Sequence, residues 1–219
     1  MKELESILKS LMTGKSSHPD FLVCDIFKEG VNGQDIKLSM LLMMNKMKEQ
    51  TSIPEGLENA NITMLKKEMD LNNWRGIFVS SVLKTILMKL FHGRAYEIVS
   101  QSMTDSPIGT QNTKSVRNPI FVFNSIISDV LSSKKKSSID LNIMDHKQMF
   151  DTEEVPTCLH SLYESGVKNY IFALIYEANK TATFVVKTPG GNTELATINK
   201  NIMQGDVLSP LVSSNMVTW

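Results

Sequence analysis

Residues 137–155, SSIDLNIMDHKQMFDTEEV, constrain this chain more than any other stretch. Ile139, Leu141 and Ile143 alternate with polar residues at the period of a β-strand, and Asp145 continues the apolar side of that alternation. A carboxylate on the face that a strand turns toward the core is costly. A cation, a hydrogen-bond cage or exposure at the strand's end must offset its charge. The stretch predicts a short strand ending in Asp145, followed by a charged turn that holds Phe150 and Asp151.

The flanking segments mix two periods. Apolar residues recur at helical spacing over 2–12 and over 35–49, the second run rich in Met, which at that spacing reads as core filler. NITML, residues 61–65, is strand-like and ends at Lys66 and Lys67. RGIFVSSVLKTILMKLFHGRAYEIV, from Arg75, turns helical in its second part, with an apolar face and a basic opposite face. PIFVFNSIISDVLSS, from Pro119, reads as a helix with Pro at its start, and two more helices follow at 155–165 and 168–178. TATFVVKT and TELATIN, joined by PGGN, announce a hairpin. In IMQGDVLSPLVSS the Gln-Gly pair predicts a tight turn, with Asp206 at or near the N-cap of a last helix.

With 42% hydrophobic and 21% charged residues the chain has the means to bury a core. Two distant cysteines, Cys24 and Cys158, signal neither a disulfide framework nor a zinc site and fit a reducing compartment. The apolar run around Leu38 to Met44 is too short for a bilayer, so no membrane partner is expected. Net charge is zero, but it is unevenly spread. Residues 84–136 hold eight basic side chains against three acidic ones, whereas 140–177 hold seven acids against two lysines. Phosphate binding beside cation binding would need such a division, and two solvated surfaces of opposite sign give the same count.

Four stretches, in order, resemble the reverse transcriptase domain of retroelements, in particular the non-LTR and group II intron-like branch. ITMLKKEMDLNNWRGI resembles the first fingers motif and SPIGTQNTKSVRNPIFVFNSII the second. IMDHKQMFD matches the first catalytic motif of the palm, and QGDVLSPL the nucleotide-pocket motif. They span about residues 60–215. The resemblance implies an α/β fold, the fingers and incomplete palm of a right-hand polymerase. It implies RNA-directed DNA synthesis with Mg2+ as cofactor and an RNA template, a DNA primer and dNTPs as partners.

Carried over residue by residue, the resemblance makes Asp145 the catalytic, magnesium-binding carboxylate. Phe150 becomes the aromatic gate against a 2′-hydroxyl. Lys66 or Lys67 and Arg75 hold the triphosphate, and Gln204 and Gly205 line the pocket under base and sugar. Taken singly, each residue has a plainer reading: Asp145 a turn cap, Phe150 core, Lys66 and Lys67 solvated, Gly205 a turn residue. His92, His146 and His160 are given no role.

The implied division is an N-terminal region and fingers at 1–117, a palm segment with the first catalytic motif at 118–154, fingers-side helices and hairpin at 155–203, and the start of the palm pocket helix at 204–219. Met149, Met203 and KSSHPDF depart from the family's pattern, and no adjacent aspartate pair occurs in the chain. The expectation is a degenerate or cut-short copy, inactive alone and prone to self-association through the apolar faces of Ile139, Leu141, Ile143, Val207, Leu208 and Leu211. The rival readings are a non-catalytic nucleic-acid-binding remnant that uses the basic 84–136 region, and a helical interaction protein.

Overall fold

The computed structural model describes residues 2–12, 14, 22–29, 33–57, 59–66, 74–101, 115, 117–132, 138–143, 152–180, 182–188, 190–198 and 205–218. Eight helices are described, α1 (Lys2–Lys9), α2 (Cys24–Glu29), α3 (Gly33–Gln50), α4 (Val82–Val99), α5 (Arg117–Ser132), α6 (Val155–Glu164), α7 (Asn169–Lys180) and α8 (Ser209–Thr218). The strands are β1 (Asn59–Lys66), β2 (Trp74–Ser80), β3 (Thr183–Thr188), β4 (Gly191–Asn192) and β5 (Ala196–Thr197). The fold is α/β with a mixed sheet in the order β2-β1-β3-β4, and β5 also pairs with β3. β1 runs antiparallel to β2 and parallel to β3.

One face of the sheet is apolar because alternate residues of three strands meet there. Ile62 lies opposite Phe78 on one side and Val186 on the other, and Ala60 lies opposite Phe184. The Phe78 and Phe184 rings pack edge to face with centroids 6.1 Å apart. Ala182 and Ile198 close this small core.

Helix α4 is the central element. Val82 and Ile86 pack with Leu4, Leu8, Phe27 and Met40 from α1, α2 and α3. Leu87, Met88, Leu90 and Phe91 pack on another side with Leu162, Leu174, Ile175 and Leu211 from α6, α7 and α8. Packing on several sides is why α4 lacks the basic outer face expected of it. Lys84 is buried, and Lys89 and Arg94 are only partly exposed. The Met stripe of α3 is core, as expected, with Met40 in the α1 and α2 cluster and Met47 in the α6 to α8 cluster.

Three further expectations meet the structure differently. Helix α5 forms, with Pro119 in its first turn, where a missing N–H costs little. No residue of α5 is buried, and Phe121 and Leu131 are 73% and 81% exposed. Residues 138–143 form no strand. No described strand pairs with them, and Ile139, Leu141 and Ile143 are exposed, as the self-association expectation required. Leu208 and Leu211, expected to be exposed, are buried against α4 and α6 instead, and Val207 is partly buried. TELATIN supplies only the two-residue β5. Just before it, Thr193 bonds both ways with the backbone of Val186, its N–H donating to the carbonyl and its Oγ1 accepting from the N–H, which ends regular pairing.

Candidate functional site

The β1–β2 ladder carries two of the basic positions singled out in the sequence. Its register sets Lys66 opposite Trp74 and Leu65 opposite Arg75, so the Lys66 and Arg75 backbones occupy adjacent rungs at one end of the hairpin. Lys67, Asp145, Phe150 and Gln204 lie outside the described residues.

At the other end of β2 the chain returns from far along the sequence. Gly205 adopts φ +107°, a left-handed conformation that side chains disfavour. A Cβ on Gly205 would stand 2.8 Å from the Phe78 carbonyl oxygen and 3.2 Å from Ile77 Cγ2. Only glycine lets this turn lie directly on β2. The strand of the RGI stretch and the turn of the QGD stretch are thus in van der Waals contact across more than 120 intervening residues.

Asp206 converts that turn into a helix start. Its Oδ1 accepts from the Leu208 N–H at 2.9 Å and its carbonyl oxygen accepts from the Ser209 N–H at 3.3 Å. These bonds satisfy donors that the first turn of α8 leaves without helical partners. A cleft runs beside the turn, lined by Phe78, Val79 and Ser80 of β2, Thr85 and Met88 of α4, and Gly205, Asp206 and Val207.

The electrostatics of this corner centre on Lys84, which is 1% exposed in the first turn of α4. Ser81 caps that helix, its Oγ accepting the Lys84 N–H at 3.0 Å. A buried ammonium at a helix N-terminus is opposed both by desolvation and by the helix dipole. Its charge is felt by the carboxyl of Asp206. Burial raises the Asp206 pKa above its ordinary value, while the Lys84 charge, followed by the N–H groups of Leu208 and Val207, draws it back down. The sequence signal for the buried lysine is its place inside the apolar run VLKTIL, within the stretch counted as basic.

Other charged groups of the basic stretch are also engaged. Arg94 bonds Glu3 through Nε at 3.1 Å and Nη2 at 2.7 Å, and donates through Nη1 to the Tyr170 hydroxyl at 2.6 Å. His92 stacks on Tyr96 at 5.9 Å, and burial followed by the Lys89 charge lowers its pKa. Cys24 and Cys158 are buried and not joined in a disulfide, and burial pushes the Cys158 thiol up to about 12. Among the described residues no three His, Cys, Asp or Glu side chains gather where a metal ion could sit. No described helix is long and apolar enough to cross a membrane. No family model matches the chain.

Proposed function

We propose that this chain carries the fingers and part of the palm of a reverse transcriptase, an RNA-directed DNA polymerase that uses Mg2+ and dNTPs on an RNA template with a DNA primer. In this reading Lys66 or Lys67 and Arg75 hold the triphosphate, Gln204 and Gly205 line the nucleotide pocket, Phe150 excludes a 2′-hydroxyl and Asp145 binds the metal.

The observation that carries the reading is the seat of Gly205 on β2. Two of the four motifs, far apart in sequence, need one another's surface, and the glycine of QGD is the residue that allows the contact. The pairing of β3 with β1 adds support, since it joins the segment after the catalytic motif to the strands of the first motif in one sheet. The rival reading, a nucleic-acid-binding remnant, loses ground at two positions. Lys84 is buried and Arg94 is engaged by Glu3, so neither offers an uncommitted charge to a phosphate.

Two-metal nucleotidyl transfer uses carboxylates that hold the ions about 3.5–4 Å apart, and Asp145 alone does not supply them. The test supplies further carboxylates from a relative. The downstream palm and thumb of a reverse transcriptase from the resembled branch is fused after Met216, and primer extension on an RNA template is measured with Mg2+. Extension that disappears with Asp145→Asn supports the reading. A folded fusion that extends nothing, or whose extension survives Asp145→Asn, overturns it.

A further inference from the structure

We propose that the cavity between α1, α3, α4 and α7 is a binding site for a small monocarboxylate whose apolar body is the size of a single ring. The site shares no lining residue with the cleft beside the Gly205 turn, and the proposal stands independently of the polymerase reading.

The cavity has a volume of about 100 Å3. An apolar cavity of roughly 150 Å3 takes up benzene. This one has a mouth where Asn45 and Lys48 are exposed, so a ring can enter with its substituent left outside. Its floor is formed by Leu4, Met47, Leu87, Leu90, Phe91 and Leu174, all buried. Met44 also lines it, and two thioethers suit a flat ring, since methionine sulfur packs well at an aromatic edge.

The polar lining groups, Glu3, Asn45, Lys48, Arg94 and Tyr170, are all at least partly exposed, and their charges do not cancel. Glu3 and Arg94 neutralise one another through hydrogen bonds of 3.1 and 2.7 Å. Lys48 is left over. Its ammonium lies 4.7 Å from the centre of the Tyr170 ring, and no described carboxylate pairs with it. The Tyr170 oxygen accepts from Arg94 Nη1 at 2.6 Å, and no described acceptor takes the phenol hydrogen. A phenol that accepts from a guanidinium is polarised into a better donor. The mouth therefore presents one surplus positive charge and one strengthened O–H beside an apolar floor, which matches a carboxylate on an apolar body.

The test is NMR of the full chain with isotope-labelled methionine methyls, titrated with benzoate at neutral pH. A dissociation constant of about 1 mM is expected for so small a ligand. The Met44 and Met47 methyls should shift saturably, while Met12 and Met64, which do not line the cavity, stay in place. Benzyl alcohol and benzylamine, the neutral and cationic analogues, should bind at least tenfold more weakly. Lys48→Met should weaken benzoate binding at least fivefold and Lys48→Arg should preserve it; Lys48 is exposed, so neither change disturbs the core. Tyr170→Phe should weaken binding at least threefold, and Leu41→Trp, at a partly exposed lining position, should abolish the shifts. The absence of a saturable shift at Met44 and Met47 up to about 20 mM benzoate overturns the proposal. So does benzyl alcohol binding as tightly as benzoate, which would leave an apolar hole without anion preference, or an unchanged affinity in Lys48→Met.

Discussion

Replacing Gly205 with alanine tests the junction on which the site depends. The φ of +107° lies outside the conformations open to an L-residue, a strain of about 1–3 kcal/mol. The new methyl would also stand 2.8 Å from the Phe78 carbonyl oxygen, and that neighbour is backbone in a paired strand and cannot swing aside. The turn must lift from β2, which draws Val207 and the buried Leu208 partly out of contact and costs about 1 kcal/mol more. The sum is about 3 kcal/mol, a large part of the stability of an ordinary domain. Gly93 is the control. It lies in α4 with nothing within 4 Å of a Cβ, so Gly93→Ala should stabilise by about 0.5–1 kcal/mol. Urea unfolding followed by far-UV circular dichroism gives both values. A Gly205→Ala variant within about 0.5 kcal/mol of the parent, with unchanged slope, refutes the contact as described.

Four further outcomes are expected. Cys158, with its thiol at about 12 and buried, should resist iodoacetamide at pH 8 in the native chain and react once urea unfolds it. His92 has a pKa below the ordinary 6.5, so the unfolded chain takes up its proton first; its contribution to stability is present above 6.5 and is lost as pH falls toward the lowered value, and His92→Gln should flatten that acid limb of the stability curve. Asp206 has the opposite sign: its pKa is raised above 3.8, so its ionisation works against the fold as pH rises from 3.8 through the raised value, and Lys84→Met should carry that loss to higher pH, read by carboxyl NMR titration. Phe121→Ser with Leu131→Ser on exposed α5 should reduce self-association in size-exclusion chromatography with little change in thermal midpoint, whereas Leu211→Ala in the core should cost about 2–5 kcal/mol.

Local signals announced most of the elements. The spacing in 35–49 marked α3, the VVKT-PGGN run marked the β3–β4 hairpin, and QGD marked a turn that opens a helix. What failed was tertiary in origin. The period-2 pattern at 138–143 describes a strand's side chains, but a strand also needs a neighbour for its N–H and C=O groups, and no described strand takes that place. Burial of α4 on several sides was hidden because its two lysines and arginine suggested a solvated face, although Lys84 is buried and Arg94 is bonded by Glu3, a partner 91 residues away. Gly205 was legible as a turn residue and as part of a motif. That β2 is the surface it approaches was not legible, since no local pattern in QGD names its partner.

The gate assignment of Phe150 tests the central claim most directly. Steady-state incorporation of dNTP and rNTP opposite one RNA template base is measured for the fusion with a relative's downstream palm and thumb. Since a ring excludes a 2′-hydroxyl by overlap, discrimination should follow side-chain volume: Phe150→Tyr keeps the parent ratio, and Phe150→Ala admits ribonucleotides while dNTP use falls only modestly. A Phe150→Ala enzyme that stays active and keeps the parent ratio contradicts the account and returns Phe150 to an ordinary apolar position.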